Sequence, residues 1–340
     1  MYITHENLNK LLNNLEKDYS VFVPIKKGEQ RFYTRYAPSI PSMVIGEVRA
    51  FEPLKMFFTR AREKVAEGFK SDIPFTQDKP IAVIGVKACD LKGFKVQDFV
   101  YGADDCIDPI YRKMRDENLI ISADCTCAID TCFCTALGIQ PYPKQDFDLN
   151  LSPISGGYIV QTGSEKGKKT LESNTSLFSN ASPDANREQT DQRSRVTEAV
   201  NRNCSTHRVP HQDSLNGAMM RNYESKIWED EAKTCVECGA CNSICPTCHC
   251  FLLYDRKNEA TMARYRIWDS CMLKDFARVA GGANPRSKLW MRLRNRFEKK
   301  FDFFPKVADV YACTGCGRCI SACPAKIDIR KVLQRLVNNA

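Results

Sequence analysis

The residues of this chain best suited to chemistry are its 18 cysteines, about one residue in nineteen. Most come in patterned groups. The run C-x2-C-x2-C-x3-C-P occurs twice, as Cys235, Cys238, Cys241, Cys245 and Pro246, and as Cys313, Cys316, Cys319, Cys323 and Pro324. Three thiolates two residues apart can wrap a tight loop around three irons of a [4Fe-4S] cubane. The fourth cysteine then reaches the neighbouring cluster. The expected ligand sets are therefore crossed: Cys235, Cys238, Cys241 and Cys323 for cluster 1, and Cys313, Cys316, Cys319 and Cys245 for cluster 2. Zinc also takes C-x2-C pairs, but two pairs suffice for it. Three cysteines, a fourth and a proline, twice over, select iron–sulfur.

The other cysteines form two further groups. Cys248, Cys250 and Cys271 lie inside the long insertion between the motifs. They read either as small buried side chains near the clusters or as additional ligands. His249, between two of them, reads as a supporting or surface residue. Near the start of the chain, Cys89 follows the apolar run 81–86, while Cys125, Cys132 and Cys134 follow the run 118–122. Loops at the carboxyl ends of neighbouring strands are where α/β proteins build their sites. These four are the expected ligands of a third cluster, with a zinc site or free thiols as alternatives. Cys127 is a substitute ligand and Cys106 a weaker one.

Behind these groups stand the elements that must position them. Leu8, Leu11, Leu12 and Leu15 recur at helical spacing over 7–16, and 50–69 also has a helical pattern. Strands are expected at 21–23, ending at Pro24, and at 81–86, 118–122 and 157–161. Strands alternating with helices predict an α/β domain over 1–165. Residues 166–227 are dominated by polar side chains and predict a linker or surface helices. Residues 228–340 predict a helix-rich module around a two-cluster ferredoxin-like core, with an insertion at 246–312.

Composition excludes several classes. Hydrophobic residues make up 43% and charged residues 27%, a globular balance. The net charge of +9 is modest for 340 residues and gives no case for nucleic acid. No run approaches the roughly 18 apolar residues of a membrane span, and no signal-like segment opens the chain. Cysteines so abundant in a chain expected to be cytoplasmic point to metal binding. There is no G-x-G-x-x-G after a strand and no P-loop, so neither a flavin nor an NAD site is expected here. Only four histidines occur, and no nucleophile arrangement stands out. The stretch 285–300 is basic, with Trp290, Leu293 and Phe297 at helical spacing. It reads as an amphipathic helix with a solvated basic face, or as cations that meet an acidic partner or offset cluster charge.

The residues resemble a family. Val86-Lys87-Ala88-Cys89-Asp90-Leu91, Cys132-Phe133-Cys134, Cys245-Pro246-Thr247-Cys248-His249-Cys250-Phe251, Arg266-Ile267-Trp268-Asp269-Ser270-Cys271 and Ala280-Gly281-Gly282-Ala283-Asn284-Pro285-Arg286 join the two ferredoxin motifs in one order. That order is similar to the iron–sulfur beta subunit of cytoplasmic sulfhydrogenases and to the dicluster iron–sulfur subunit of anaerobic sulfite reductase. The resemblance spans most of the chain. It departs at the polar stretch 172–216 and at Cys127. It implies a subunit that relays single electrons within a hetero-oligomer. One partner would be a flavin subunit oxidising NAD(P)H, the other a catalytic reductase or hydrogenase acting on protons, sulfur compounds, sulfite or a heterodisulfide. The alternative is a catalytic iron–sulfur reductase that uses the N-terminal cluster itself.

Overall fold

The computed structural model describes residues 1–40, 42–68, 79–103, 107–257 and 261–339. Cys106 lies outside them. Ten strands are present among the described residues: β1 (Tyr2–Thr4), β2 (Ser20–Lys27), β3 (Gln30–Arg35), β4 (Arg62–Glu67), β5 (Ile81–Val86), β6 (Leu119–Ala123), β7 (Leu149–Ile154), β8 (Gly157–Thr162), β9 (Phe251–Lys257) and β10 (Met262–Trp268). Seven form one sheet in the order β1-β8-β7-β6-β5-β2-β3. Its centre is parallel, β2 to β5 to β6 to β7, and its edges are antiparallel.

The central strands are buried and mostly apolar because both faces are covered. On one face Leu8, Leu11, Leu12 and Leu15 of helix α1 (His5–Leu15) pack over Val21, Ala82, Ile84, Ile121 and Leu149. On the other, Val83, Val86 and Ile120 meet Phe57, Phe58, Phe94 and Tyr111. Phe94 belongs to α2 (Ala88–Tyr101) and Tyr111 to α3 (Pro109–Glu117). The strand expected to stop at Pro24 runs on to Lys27. Pro24 lies beyond the pairing with β5 and is paired only with β3. A missing N–H is tolerated at such an edge position.

The helix expected over 50–69 is not formed. Leu54–Phe57 make a single 3-10 turn, and 62–67 is strand β4. β4 pairs with β10, which also pairs with β9, so a segment early in the chain joins a hairpin from the insertion. The partner lies about 200 residues away, and local propensity yields to that pairing.

The polar stretch after the sheet is ordered. It contains α4 (Glu165–Glu172) and the 24-residue α5 (Pro183–Thr206), whose Ser182 side chain accepts from Ala185 N–H as an N-cap. The C-terminal region builds a separate core of Trp228, Phe297, Phe301, Val332, Leu333 and Leu336. Its main helices are α6 (Leu289–Glu298) and α7 (Ile329–Asn338). α6 runs into a π-helical turn at Lys299–Phe303. No helix among the described residues is long and apolar enough to cross a membrane.

Candidate metal centres

The two ferredoxin motifs meet in space. Cys235, Cys238 and Cys241 of the first copy and Cys319 and Cys323 of the second line one cavity of about 50 Å3. Met272, Leu293, Phe297 and Ile327 wall it with apolar surface. The other four cysteines also associate. Cys313 feels Cys245 and Cys316, and Cys319 feels Cys313, Cys316 and Cys245. Burial pushes the Cys313 thiol up to about 11 and the Cys319 thiol up to about 12. Cysteines of both copies thus meet in each group. Among the described residues, no three His, Cys, Asp or Glu side chains converge tightly enough for a single ion. A cubane asks something different: four thiolates at the corners of an inorganic core, walled from water. Both thiol sets fit that demand.

The sheet explains the third group. β5 and β6 are adjacent and parallel, so their carboxyl ends open on the same side. Cys89 begins α2 just after β5, and Cys125 follows β6. Cys89, Cys125, Cys132 and Cys134 line one pocket, together with Cys127 and with Cys316 of the second ferredoxin motif. Burial pushes Cys125 up to about 12 and Cys89 and Cys134 well above the usual thiol value. Four thiols, Cys134 buried and Cys89, Cys125 and Cys132 half-buried, beside the cations Lys87 and Arg49 fit a thiolate-held cluster. The Lys87 ammonium donates to Ile45 O at 2.6 Å and Asp124 O at 3.2 Å.

Two glycines bring this pocket against the second motif. Gly315 has φ of +61°, and a Cβ there would sit 2.5 Å from Cys134 Cα. Gly317 has φ of +69°, and its Cβ would come within 2.1 Å of Thr131 O. Phe133 N–H donates to Gly315 O at 2.9 Å. The junction is locked by a fully buried ion pair: Arg318 Nη2 donates to Asp90 Oδ2 at 2.8 Å. Arg49 Nε donates to Cys316 O.

Helix α5 closes the pocket from outside. Arg193 Nε donates to Asp124 Oδ2 at 2.8 Å, Gln192 to Thr126 O at 3.0 Å and Asn203 to Ile129 O at 2.7 Å. Val200 lines the pocket, and Cys204 Sγ lies 3.5 Å from Thr135 Oγ1. Composition identified this stretch as polar. That the polar groups serve the cysteine loop was not visible in it.

The basic stretch 285–300 corrects another expectation. Arg292, Arg296 and Lys300 recur every four residues, yet all three are buried rather than solvated. Arg292 pairs with Glu237, between Cys235 and Cys238. Arg296 donates to Asn242 Oδ1 and reaches Cys248 Sγ at 3.6 Å. Lys300 Nζ donates to Cys245 Sγ at 3.3 Å, Thr247 Oγ1 at 2.8 Å and Ala312 O at 2.8 Å. Burial disfavours its charge, but Cys245 and Cys248 more than compensate and raise its pKa above the usual lysine value. A hydrogen bond from Cys248, then Lys300 and Arg296, holds the Cys245 thiol well below its usual value.

Cys248, Cys250 and Cys271 gather around buried Asn242. Its Nδ2 donates to Cys271 Sγ at 3.0 Å, and Cys248 Sγ lies 3.6 Å from its Oδ1. Cys250 feels Cys271. His249 Nδ1 donates to Thr247 O at 3.0 Å, and burial lowers its pKa to about 4, so it is neutral.

Comparison with known proteins agrees with this chemistry. Residues 234–327 match the 4Fe-4S dicluster domain family. That matched stretch holds both cysteine runs, so this part of the chain is similar to domains that carry two 4Fe-4S clusters. Over 333 residues the chain is 29% identical to the beta subunit of sulfhydrogenase 2 from Pyrococcus furiosus, covering 97% of this chain and 96% of that protein.

Proposed function

We propose that this chain is a non-catalytic relay subunit of a cytoplasmic hetero-oligomeric oxidoreductase. It would carry single electrons between a flavin subunit oxidising NAD(P)H and a terminal hydrogenase or sulfur, sulfite or heterodisulfide reductase. The observation that carries the reading is the cavity lined by Cys235, Cys238 and Cys241 of one motif together with Cys319 and Cys323 of the other. The sulfhydrogenase relative supports a place in a multi-subunit complex. The proposed ligands are those four, then Cys313, Cys316, Cys319 and Cys245, then Cys89, Cys125, Cys132 and Cys134. [4Fe-4S] clusters held there would supply one-electron chemistry.

The chain's own residues do the rest. Apolar side chains line the first set, Lys300 places positive charge beside Cys245 of the second, and Arg296 lies beside Cys241 and Cys248. Arg318 and Asp90 hold the N-terminal pocket against the second motif. Three protein domains follow the same division: 1–165, a connecting 166–227, and 228–340. We assign Cys248, Cys250 and Cys271 to packing around Asn242 rather than to ligation.

Anaerobic purification followed by iron and zinc analysis tests the reading. Three cubanes give about twelve irons per chain and visible absorbance that dithionite bleaches. Cys89→Ser should remove about four irons and leave the other two signals. A colourless, zinc-loaded chain would overturn the proposal.

A further inference from the structure

The three cysteine sites differ in what they expose. Cys316 lines the N-terminal pocket, so the second ferredoxin set lies between that pocket and the first set. Within this middle set Cys245 and Cys313 are buried. The first set is the far end, and its Cys238 is exposed; at the opposite end Cys127 beside the N-terminal pocket is exposed too. Around Cys238 the surface is apolar: Val236 is 62% exposed and Leu273 40%, with Pro324 also at the surface. Leu273 packs against Gly239, and Pro324 lines the same cavity as Cys238. Two exposed lysines, Lys274 and Lys326, sit next in sequence to the collar residues Leu273 and Ala325. Neither has an acidic partner among the described residues, whereas Glu237 is taken by buried Arg292.

We infer that this collar is the docking port of an acidic one-electron carrier protein of the iron–sulfur class. The inference rests on the proposed cluster at Cys235, Cys238, Cys241 and Cys323. An exposed sulfur ringed by small apolar side chains suits a brief encounter, since transient redox contacts are small. The two lysines steer an acidic surface to it, which acts on association rate more than on affinity. Each encounter moves one electron: the reduced carrier is oxidised by one, and this chain is reduced by one.

The test mixes the oxidised, iron-loaded full chain with chemically reduced plant-type ferredoxin, an acidic carrier, in a stopped-flow instrument. Lys274→Glu with Lys326→Glu should lower the second-order rate by about tenfold at low salt and flatten its salt dependence. Val236→Glu should lower it as well. Lys168→Glu with Lys169→Glu changes net charge equally on α4, far along the chain, and should leave the rate within about twofold. Equal slowing by both pairs, or no slowing by the first, would overturn the port. Iron content and the cluster spectrum of every variant are read first. If the wild-type chain holds no iron, the proposed function fails; if iron is intact and rates are unchanged, only the port fails.

Discussion

Lys300 is the residue whose charge has the clearest electrostatic purpose. It is buried, and its ammonium touches Cys245 Sγ. A cation there favours the reduced, more negative state of a cluster held by that sulfur. Lys300→Met should therefore shift the potential of one cluster downward by about 60 mV or more, a tenfold change in a one-electron equilibrium. Redox titration followed by electron paramagnetic resonance reads it, and Lys300→Arg should restore most of the shift. Arg318 and Asp90 make a second residue-scale case. Removing one partner of a buried ion pair costs about 3–5 kcal/mol. Asp90→Asn should therefore lower the denaturation midpoint of the full chain clearly. Gly317→Ala should do so too, because a Cβ in that left-handed position meets Thr131 O.

At the scale of elements, α5 behaves as a cover. Its Gln192, Arg193 and Asn203 bond the loop that carries the N-terminal cysteines. Arg193→Ala with Gln192→Ala should speed loss of iron to a chelator from that pocket by several-fold, while the ferredoxin sites release iron at the wild-type rate. Cluster-resolved spectra during chelation would show one signal fading before the others. The α6 helix and the π turn after it make a second device. Arg292, Arg296 and Lys300 form one stripe along the boundary of the two ferredoxin loops. The wider π turn carries Lys300 at its second position, and such turns are often found at functional sites.

For the whole molecule, the buried thiols link folding to metal. Cys125 is raised from 9.0 to about 12 and Cys319 likewise. A group whose pKa rises on folding stabilises the fold below its unfolded value. That contribution is lost as pH climbs from the unfolded value to the folded one. The metal-free chain should therefore lose stability steadily between about pH 9 and pH 12. The loaded chain, whose thiolates are already deprotonated and bound, should not follow that course. Urea denaturation of both forms across this range measures the difference.

The sequence by itself determined the chemistry. Two cysteine runs with fixed spacing named iron–sulfur, and strands alternating with helices named an α/β domain, because spacing and periodicity are local properties. Cys89 and Cys125 were also legible, since each follows a buried strand. Only the tertiary structure decided what surrounds those sulfurs. Strand β4 was missed because its partner β10 is distant in sequence. The stripe of Arg292, Arg296 and Lys300 read either as a solvated face or as cations that meet an acidic partner or offset cluster charge. It is buried because the thiols it meets come from segments some 50 residues away, and their charge makes an interior cation stable. The polar helix α5 likewise found its role only by folding back onto the loop after β6.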